Sequence, residues 1–146
     1  MRVFLPDINI LIALHDPQHV GHNKAHSWFT SEGQRGWATC PLTENGFARI
    51  ISHTIYPNSV SGVTDALQIL GNMITTHSVS YQFLPDSVSL NDRSLFDPSL
   101  IAGPKQITDI YLLGLCQQYG GTLVTLDSGI TTTAIVSPHA ELLRIL

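Results

Sequence analysis

The sequence predicts an α/β fold with a mostly parallel central sheet that helices cover on both faces. Strand-like and helix-like patterns alternate along the chain, which is typical of parallel sheets. The strand candidates are also apolar throughout and lack the polar face of a strand that borders water. With 146 residues and a mass of 16.0 kDa, the chain is predicted to form a single domain over residues 1–146.

The amino-terminal part begins with a short apolar run at residues 3–5, a buried strand that a proline is expected to break. A helix over residues 8–15 is predicted next. It closes before Pro17, because the residue before a proline is disfavoured in the helical conformation. Apolar residues at helical spacing predict a second helix over 21–32, and residues 36–39 are the second strand candidate.

In the middle of the chain, Thr43 is the expected cap of a helix that runs through residue 52. Apolar residues at helical spacing predict another helix over residues 61–77, weakened by Gly71. Residues 79–84 alternate enough to predict a third strand. These elements continue the alternation of helices and strands.

The carboxyl-terminal part opens with a polar, Ser- and Asp-rich segment, residues 86–106, that is expected to be mostly loop with one short helix. A helix over residues 107–119 is stopped by a pair of glycines. The apolar run at 123–126 predicts a buried strand, and residues 134–136 are expected to form the last strand before a proline.

Composition limits the classes of function. The net charge of −4 argues against a protein that coats nucleic acid. No apolar run approaches the roughly 18 residues of a membrane span, and the opening segment lacks a signal peptide, so we expect a cytoplasmic protein without a membrane partner. Cys40 and Cys116 form no C-x-x-C pair and are expected to be buried free thiols. The 43% content of hydrophobic residues suggests that some surface is buried against a partner.

Four acids occupy equivalent places in the predicted fold. Asp7 and Asp127 directly follow buried strands, whereas Glu44 and Asp109 lie in the first turns of helices. Ligands of open α/β sheets bind outside the carboxyl ends of the strands, so these side chains are predicted to converge there. The alternative is that Glu44 and Asp109, each preceded by Thr, are ordinary capping-type acids. That alternative does not explain Asp7 and Asp127.

Such convergence predicts a metal site. Two like charges about 4 Å apart repel by about 4 kcal/mol at an effective dielectric constant of 20, so several together require a cation or a raised pKa. Carboxylates favour hard ions, Mg²⁺ or Mn²⁺. Without these four acids, seven of the eleven acidic residues remain, which equals the seven Lys and Arg residues, so two divalent ions would neutralise the excess charge.

Four segments of the chain closely resemble the motifs of one known family, in the family's order: L-P-D-I-N-I-L-I-A-L, L-T-E-N-G-F-A-R-I, I-T-D-I-Y-L-L-G-L and G-G-T-L-V-T-L-D-S-G-I. This family is that of the PIN-domain ribonucleases, specifically the VapC-type toxins of toxin–antitoxin pairs. The resemblance extends from Arg2 to the last predicted strand. It implies a three-layer α/β/α sandwich, usually dimeric, inhibited by a small antitoxin that binds across the active-site groove.

The resemblance also implies roles for particular residues. The metal would be held by an acidic quartet: Asp7, Glu44, Asp109 and Asp127. Polar neighbours of these acids would contact them or the substrate phosphate, although two of the threonines are equally candidates for helix caps: Asn9, Thr43, Thr108 and Thr125. Arg49 follows Glu44 on the same helix and is placed to meet a substrate phosphate or an antitoxin carboxylate, or else is a surface arginine without a role.

The chemistry implied is hydrolysis of an RNA phosphodiester, in which one or two Mg²⁺ or Mn²⁺ ions orient and deprotonate the attacking water. Asp7 is the best candidate for a ligand that two ions share, since it ends the strand expected to be central. The competing function is a catalytically silent PIN-like domain that binds RNA or protein. Nuclease assays in the presence and absence of metal distinguish the two.

Other readings find less support in the residues. His22 and His26 are four residues apart, as zinc ligands on one helix face are, but the group formed with His15 and His19 lacks the glutamate of an H-E-x-x-H motif. Solvated surface histidines are the favoured interpretation. A phosphatase with an aspartyl nucleophile requires a second Asp where Asn9 stands, and no G-x-G-x-x-G turn indicates a nucleotide cofactor.

Overall fold

The computed structural model describes residues 2–146. Within them, parallel strands and α-helices alternate along the chain. The strands are β1 (Phe4–Pro6), β2 (Trp37–Thr39), β3 (Tyr81–Phe83), β4 (Thr122–Thr125) and β5 (Leu143–Ile145). The helices are α1 (Ile8–His15), α2 (His22–Ser31), α3 (Pro41–Ile51), α4 (Val63–Thr76) and α5 (Ile107–Tyr119).

The five strands form a single sheet in the order β3-β2-β1-β4-β5, and every pair is parallel. β1 is therefore the central strand, as the sequence predicted. Phe4 is in register with Trp37 on one side and with Thr122 on the other. Because all strands run in the same direction, the loops after β1, β2 and β4 meet at one edge of the sheet.

Two hydrophobic clusters lie on opposite faces of this sheet. One is built on α5 and includes Leu5 of β1, Phe96 and Leu112, all at most 1% exposed. The other contains residues of α1, α2, α3 and α4 and includes Leu11 and Phe47, both fully buried. The sheet is thus covered by helices on both faces, which confirms the predicted three-layer α/β/α architecture.

Most predicted elements appear close to their expected positions. Helices α1 and α5 have the predicted bounds, and Gly120 ends α5 in the left-handed conformation, with φ 66°. Cys40 and Cys116 are buried free thiols, as predicted. No helix among residues 2–146 has the length and apolarity that crossing a membrane requires.

The last strand was predicted at the wrong place. Residues 134–136 are apolar because Ala134 and Ile135 pack into the core, but Ile135 makes only an isolated antiparallel bridge to Phe96. The strand that completes the sheet is β5, which pairs with β4. Its apolar signal is interrupted by Arg144, whose guanidinium pairs with Glu32.

Three smaller differences concern element boundaries. Pro6 does not break the first strand but is its last residue. Helix α3 begins at Pro41, where a proline is tolerated, so Thr43 belongs to the third position of the helix and not to its cap. The segment 86–106 contains two short 3₁₀ turns, Pro98–Leu100 and Pro104–Gln106, where one short helix was expected.

Candidate active site

Asp7 lies between the central strand and α1, and is only 6% exposed. It caps α1: its Oδ1 accepts a hydrogen bond from the Ile8 N–H at 2.7 Å, while its own N–H donates to the Val124 carbonyl at 2.8 Å. Burial raises the pKa of Asp7, the hydrogen bonds from Thr125 and Ile8 lower it, and the charge of Asp127 raises it further. The carboxylate is thus held in place but incompletely compensated.

The hydroxyl group of Thr125, at the end of β4, makes three hydrogen bonds in this region. It donates to Asp7 Oδ2 at 2.9 Å and accepts from Asn9 Nδ2 at 3.2 Å and from the Asp127 N–H at 3.0 Å. The Asn9 side-chain oxygen accepts from the Leu126 N–H at 3.2 Å. A fully buried threonine therefore links the ends of β1 and β4 and holds the Asp7 carboxylate and the Asp127 backbone in place.

Asp109 and Asp127 complete a group of three interacting carboxylates, here called the aspartate trio (Asp7, Asp109 and Asp127). Asp109 is partly buried in the first turn of α5. Burial, followed by the negative charges of Asp7 and Asp127, raises its pKa to about 6. Asp127 is exposed in the loop after β4, and its Oδ1 accepts from the Gly129 N–H at 2.8 Å. Parts of the chain more than 100 residues apart thus share one electrostatic site.

Glu44, the fourth predicted acid, has different partners. Its Oε1 accepts a hydrogen bond from the Thr39 hydroxyl at 2.6 Å and lies 3.4 Å from the Tyr81 hydroxyl, which is itself 2.7 Å from the Thr39 hydroxyl. Glu44 also lines a groove between α3 and α4, with Leu67 and Phe83 on the opposite wall. The structure therefore groups the three aspartates and holds the glutamate carboxylate beside β2 and β3.

The predicted polar neighbours divide into two groups. Asn9 and Thr125 contact the aspartate trio directly, as described above. Thr43 is fully buried, and from the third position of α3 its hydroxyl accepts from the N–H of Cys40, the cap residue, at 3.0 Å. Its contacts are thus with the start of the helix, although it is not the cap itself. Thr108 and Arg49 are exposed and line a shared cavity between the starts of α5 and α3. Arg49 also borders the groove that contains Glu44.

A further cavity, of about 220 Å³, opens beside Asp109 and Asp127. Sequence reasoning did not single out its remaining polar lining residues: Lys105, Gln106, Thr131 and Thr133. It also missed Thr39 and Tyr81 as partners of Glu44. The position of Lys105 four residues before Asp109 was a usable signal, whereas the roles of the other residues depend on contacts between distant segments.

The histidines that stood out in the sequence are engaged elsewhere. The His22 Nδ1 lies 2.7 Å from the Ala13 carbonyl oxygen, and the His22 and His26 rings are 5.7 Å apart. The His15 ring packs edge-on against Phe47, and burial lowers its pKa. These contacts tie α1 to α2 and α3 on the face of the sheet opposite α5.

The donor set of the aspartate trio fits a hard divalent cation. Carboxylate oxygens are the ligands that Mg²⁺ and Mn²⁺ prefer. The pKa of Asp109 is raised first by burial and then by the charges of Asp7 and Asp127, and a cation at this place would offset both effects. Among residues 2–146, no three Asp, Glu, His or Cys side chains meet closely enough to form a complete ligand set. A Mg²⁺ ion usually retains several waters and binds only one or two carboxylates directly, so it would not require three converging side chains.

Fold and site together define a class: α/β proteins with an acidic site at the carboxyl edge of a parallel sheet. No protein-family model matches the chain. Curated proteins are, however, similar to this chain over most of its length. Ribonuclease VapC44 of Mycobacterium tuberculosis is 42% identical over 135 residues, which cover 92% of each chain. Ribonuclease VapC38 of the same organism is 41% identical over 145 residues, 97% of this chain and 99% of that protein.

Two solved structures share the fold. Mycobacterium tuberculosis VapC20, a toxin that cleaves the sarcin–ricin loop, superposes with a TM-score of 0.59 at 10% identity, over 90% of this chain and 98% of that chain. VapBC2 of Rickettsia felis, bound to a DNA fragment from its promoter, gives a TM-score of 0.51 at 11% identity, over 86% and 88% of the two chains. The chain belongs to the VapC ribonuclease family. The predicted family and its class of activity, that of a nuclease, are thereby confirmed.

Proposed function

We propose that the protein is a divalent-metal-dependent endoribonuclease and the toxin of a type II toxin–antitoxin pair, with residues 1–146 acting as one nuclease domain. In this proposal Asp7, Asp109 and Asp127 hold Mg²⁺ or Mn²⁺, as one or two ions, and Glu44 is the fourth acid of the site. The observation that carries the proposal is the grouping of three aspartates at the carboxyl edge of the sheet, where burial and, after it, their mutual repulsion raise the pKa of Asp7 and of Asp109.

A bound divalent ion supplies an activated water and neutralises charge on the phosphate. The protein's own contribution is to place the ligands. Thr125 directs Asp7 Oδ2 and, through the Asp127 N–H, the start of the following loop. Asn9 ties α1 to the same point, so the ligand group is supported by partly buried hydrogen bonds and not by loops alone.

The names of the relatives support the substrate and the partner that we propose. The curated relatives are named ribonucleases, and one structural neighbour is a complex of a toxin with its antitoxin and promoter DNA. These names support RNA as the substrate and a small antitoxin as the partner. We further propose a homodimer in the cytoplasm as the functional form. Arg49 is exposed between the Glu44 groove and the cavity at Thr108, where it is available to an RNA phosphate or to an antitoxin carboxylate.

The proposal is tested by incubating the purified protein with RNA in the presence of Mg²⁺, Mn²⁺ or EDTA. We expect cleavage with either metal, none with EDTA, and cleavage slowed by about 10²–10³-fold with the Asp7→Asn variant. The matched control is Asp65→Asn, which removes an exposed acid from α4. RNA binding by the wild-type protein without cleavage under any metal condition would instead support the catalytically silent domain.

The cleaved RNA is identified by sequencing RNA ends after brief expression in cells. The wild-type protein should generate a limited set of new ends that are absent with Asp7→Asn. New ends of equal abundance with both proteins would show that another nuclease produces them.

A further inference from the structure

We propose that the cavity beside Asp109 and Asp127 binds one unpaired ribonucleotide of the RNA, with Lys105 receiving its phosphate. This inference rests on the proposed function and deepens it. The segment 86–106, whose role in substrate choice cannot be read from the sequence pattern, supplies one wall of this cavity through Leu100, Lys105 and Gln106. The opposite wall comes from the loop after β4.

The polar lining suits a nucleotide. Lys105 provides a positive charge, and the Thr131 and Thr133 hydroxyl oxygens lie 3.1 Å apart on the opposite wall. The Gln106 side-chain oxygen already accepts from the Ala102 N–H at 2.9 Å, so its NH₂ group remains available as a donor. Charge and neutral donors of this kind bind phosphate and ribose hydroxyl groups.

Charge balance favours Lys105 for the phosphate. A phosphate that approaches Asp109 and Asp127 is repelled unless a cation stands close by. Arg2 and Arg144 are already paired with Glu141 and Glu32. Among the lining residues of the cavity that contains Asp109 and Asp127, Lys105 is the basic one.

The cavity is built on a braced framework. The Asp97 N–H donates to the Ala134 carbonyl and the Val136 N–H donates to the Leu95 carbonyl, each at 2.9 Å. These bonds join the two walls on either side of Phe96, whose ring lies against Gly114 of α5, where a side chain would collide with it. The walls are therefore positioned before any ligand binds, which lowers the entropic cost of binding.

Size and apolar lining restrict the occupant. The volume of about 220 Å³ lies below the roughly 300–1,000 Å³ of pockets for drug-sized ligands, so the cavity takes the phosphate and ribose of one nucleotide and not a duplex. The apolar part is formed by Leu100, Ile110, Ile130 and Ala134, and among residues 2–146 no aromatic side chain lines the cavity to stack on a base. Recognition then depends on the phosphate and the ribose more than on base stacking.

The experiment compares Lys105→Ala with Lys24→Ala, which removes an exposed lysine from α2. Steady-state cleavage of a single-stranded RNA oligonucleotide should show a KM about tenfold higher for Lys105→Ala with kcat little changed, the scale of one lost charge-assisted contact. Lys105→Arg should restore most of the affinity, and Lys24→Ala should match the wild type. An unchanged KM for Lys105→Ala, with RNA cleavage intact, would overturn the subsite while leaving the proposed function standing.

A binding measurement tests the nucleotide subsite independently of the proposed nuclease function. Nucleoside 5′-monophosphates are titrated into the metal-free protein and followed by NMR, with Thr133→Val as a second variant that removes one hydroxyl group. We expect shifts at residues 105–106 and 131–133 that Lys105→Ala abolishes and Thr133→Val weakens. If the wild-type protein cleaves no RNA, the proposed function fails and this titration alone decides the subsite. Shifts that are absent, or equal in Lys105→Ala, would reject it.

Discussion

The two halves of the acidic edge treat their carboxylates differently. On the side of β1, β4 and α5, three aspartates repel one another, and burial together with that repulsion raises the pKa of Asp109 to about 6. On the side of β2, β3 and α3, Glu44 receives a hydrogen bond from Thr39 at 2.6 Å and lies close to the Tyr81 hydroxyl. The aspartates therefore repel one another without a compensating partner for all their charge, whereas the charge of Glu44 is stabilised by a hydrogen bond.

This difference teaches where a cation gains most. A divalent ion at the aspartate trio relieves desolvation and repulsion at the same time, whereas at Glu44 it would compete with existing hydrogen bonds. The comparison also explains why four acids at one edge of a sheet need not have equal roles. Each of the following predictions tests one side against the other.

The largest effect is expected from Asp7→Asn. A metal ion stabilises the charge of the transition state by several kcal/mol. Losing a central ligand of that ion should therefore slow RNA cleavage by about 10²–10³-fold. Asn keeps an acceptor for the Ile8 N–H and is a good N-cap, so the circular dichroism spectrum should match that of the wild type. Cleavage within a few fold of the wild-type rate would remove Asp7 from the mechanism.

Thr125→Val should produce the next largest effect, on stability. The change leaves Asp7 Oδ2, Asn9 Nδ2 and the Asp127 N–H without their shared partner. An unsatisfied buried group costs about 1–3 kcal/mol, so the free energy of unfolding in urea should fall by that amount. Thr54→Val, at an exposed turn, is the control and should change little. Equal stability of the two variants would show that the Thr125 hydroxyl does not hold the site together.

The pH dependence of metal-free stability should follow from Asp109. Its pKa is about 6 in the folded protein and near 3.8 in the unfolded chain, so the folded state binds more protons between these values. Stability from this group is therefore full below about pH 3.8 and is lost as the pH rises through about 6. The pKa values of Asp16 and Glu32 are lowered, so these groups change the stability with pH in the opposite sense. The measurement is therefore the difference in melting temperature between the wild type and Asp109→Asn, taken from pH 4 to 8 with EDTA. A difference that does not vary with pH would contradict the raised pKa.

The smallest effects are expected on the Glu44 side. Glu44→Gln keeps an acceptor for Thr39 but loses the charge, and Tyr81→Phe removes a hydroxyl group 3.4 Å from the carboxylate. Each should lower the free energy of unfolding by about 0.5–1.5 kcal/mol, the scale of one hydrogen bond. Asp109→Asn at pH 8 without metal should instead raise it, because it removes a repelled charge. The same sign for Glu44→Gln and Asp109→Asn would erase the distinction between the two sides.

Much of the fold could be predicted from the sequence because its signals are local. Helices α1 and α5 carry their own stop signals, an Asp-Pro pair and a glycine pair, and both were predicted with the observed bounds. The last strand was misplaced because burial makes residues 134–136 look like a strand. Residues 143–145 form a strand because they pair with β4. The charge of Arg144 in this strand is neutralised by Glu32, which is distant in the sequence but in contact in the fold.

The sequence by itself determined the parallel α/β order and the position of Asp7, Asp109 and Asp127 at strand ends or helix starts, because strand and helix periodicity place those residues without reference to distant partners. Only the tertiary structure decided that Thr125 joins two of these aspartates, that Glu44 faces Thr39 and Tyr81, and that Lys105 lies in one cavity with Asp109 and Asp127. The physical reason is that hydrogen bonds and charge repulsion act over a few ångströms in space. Two residues within that distance can be more than a hundred positions apart in the chain, where no local sequence pattern connects them.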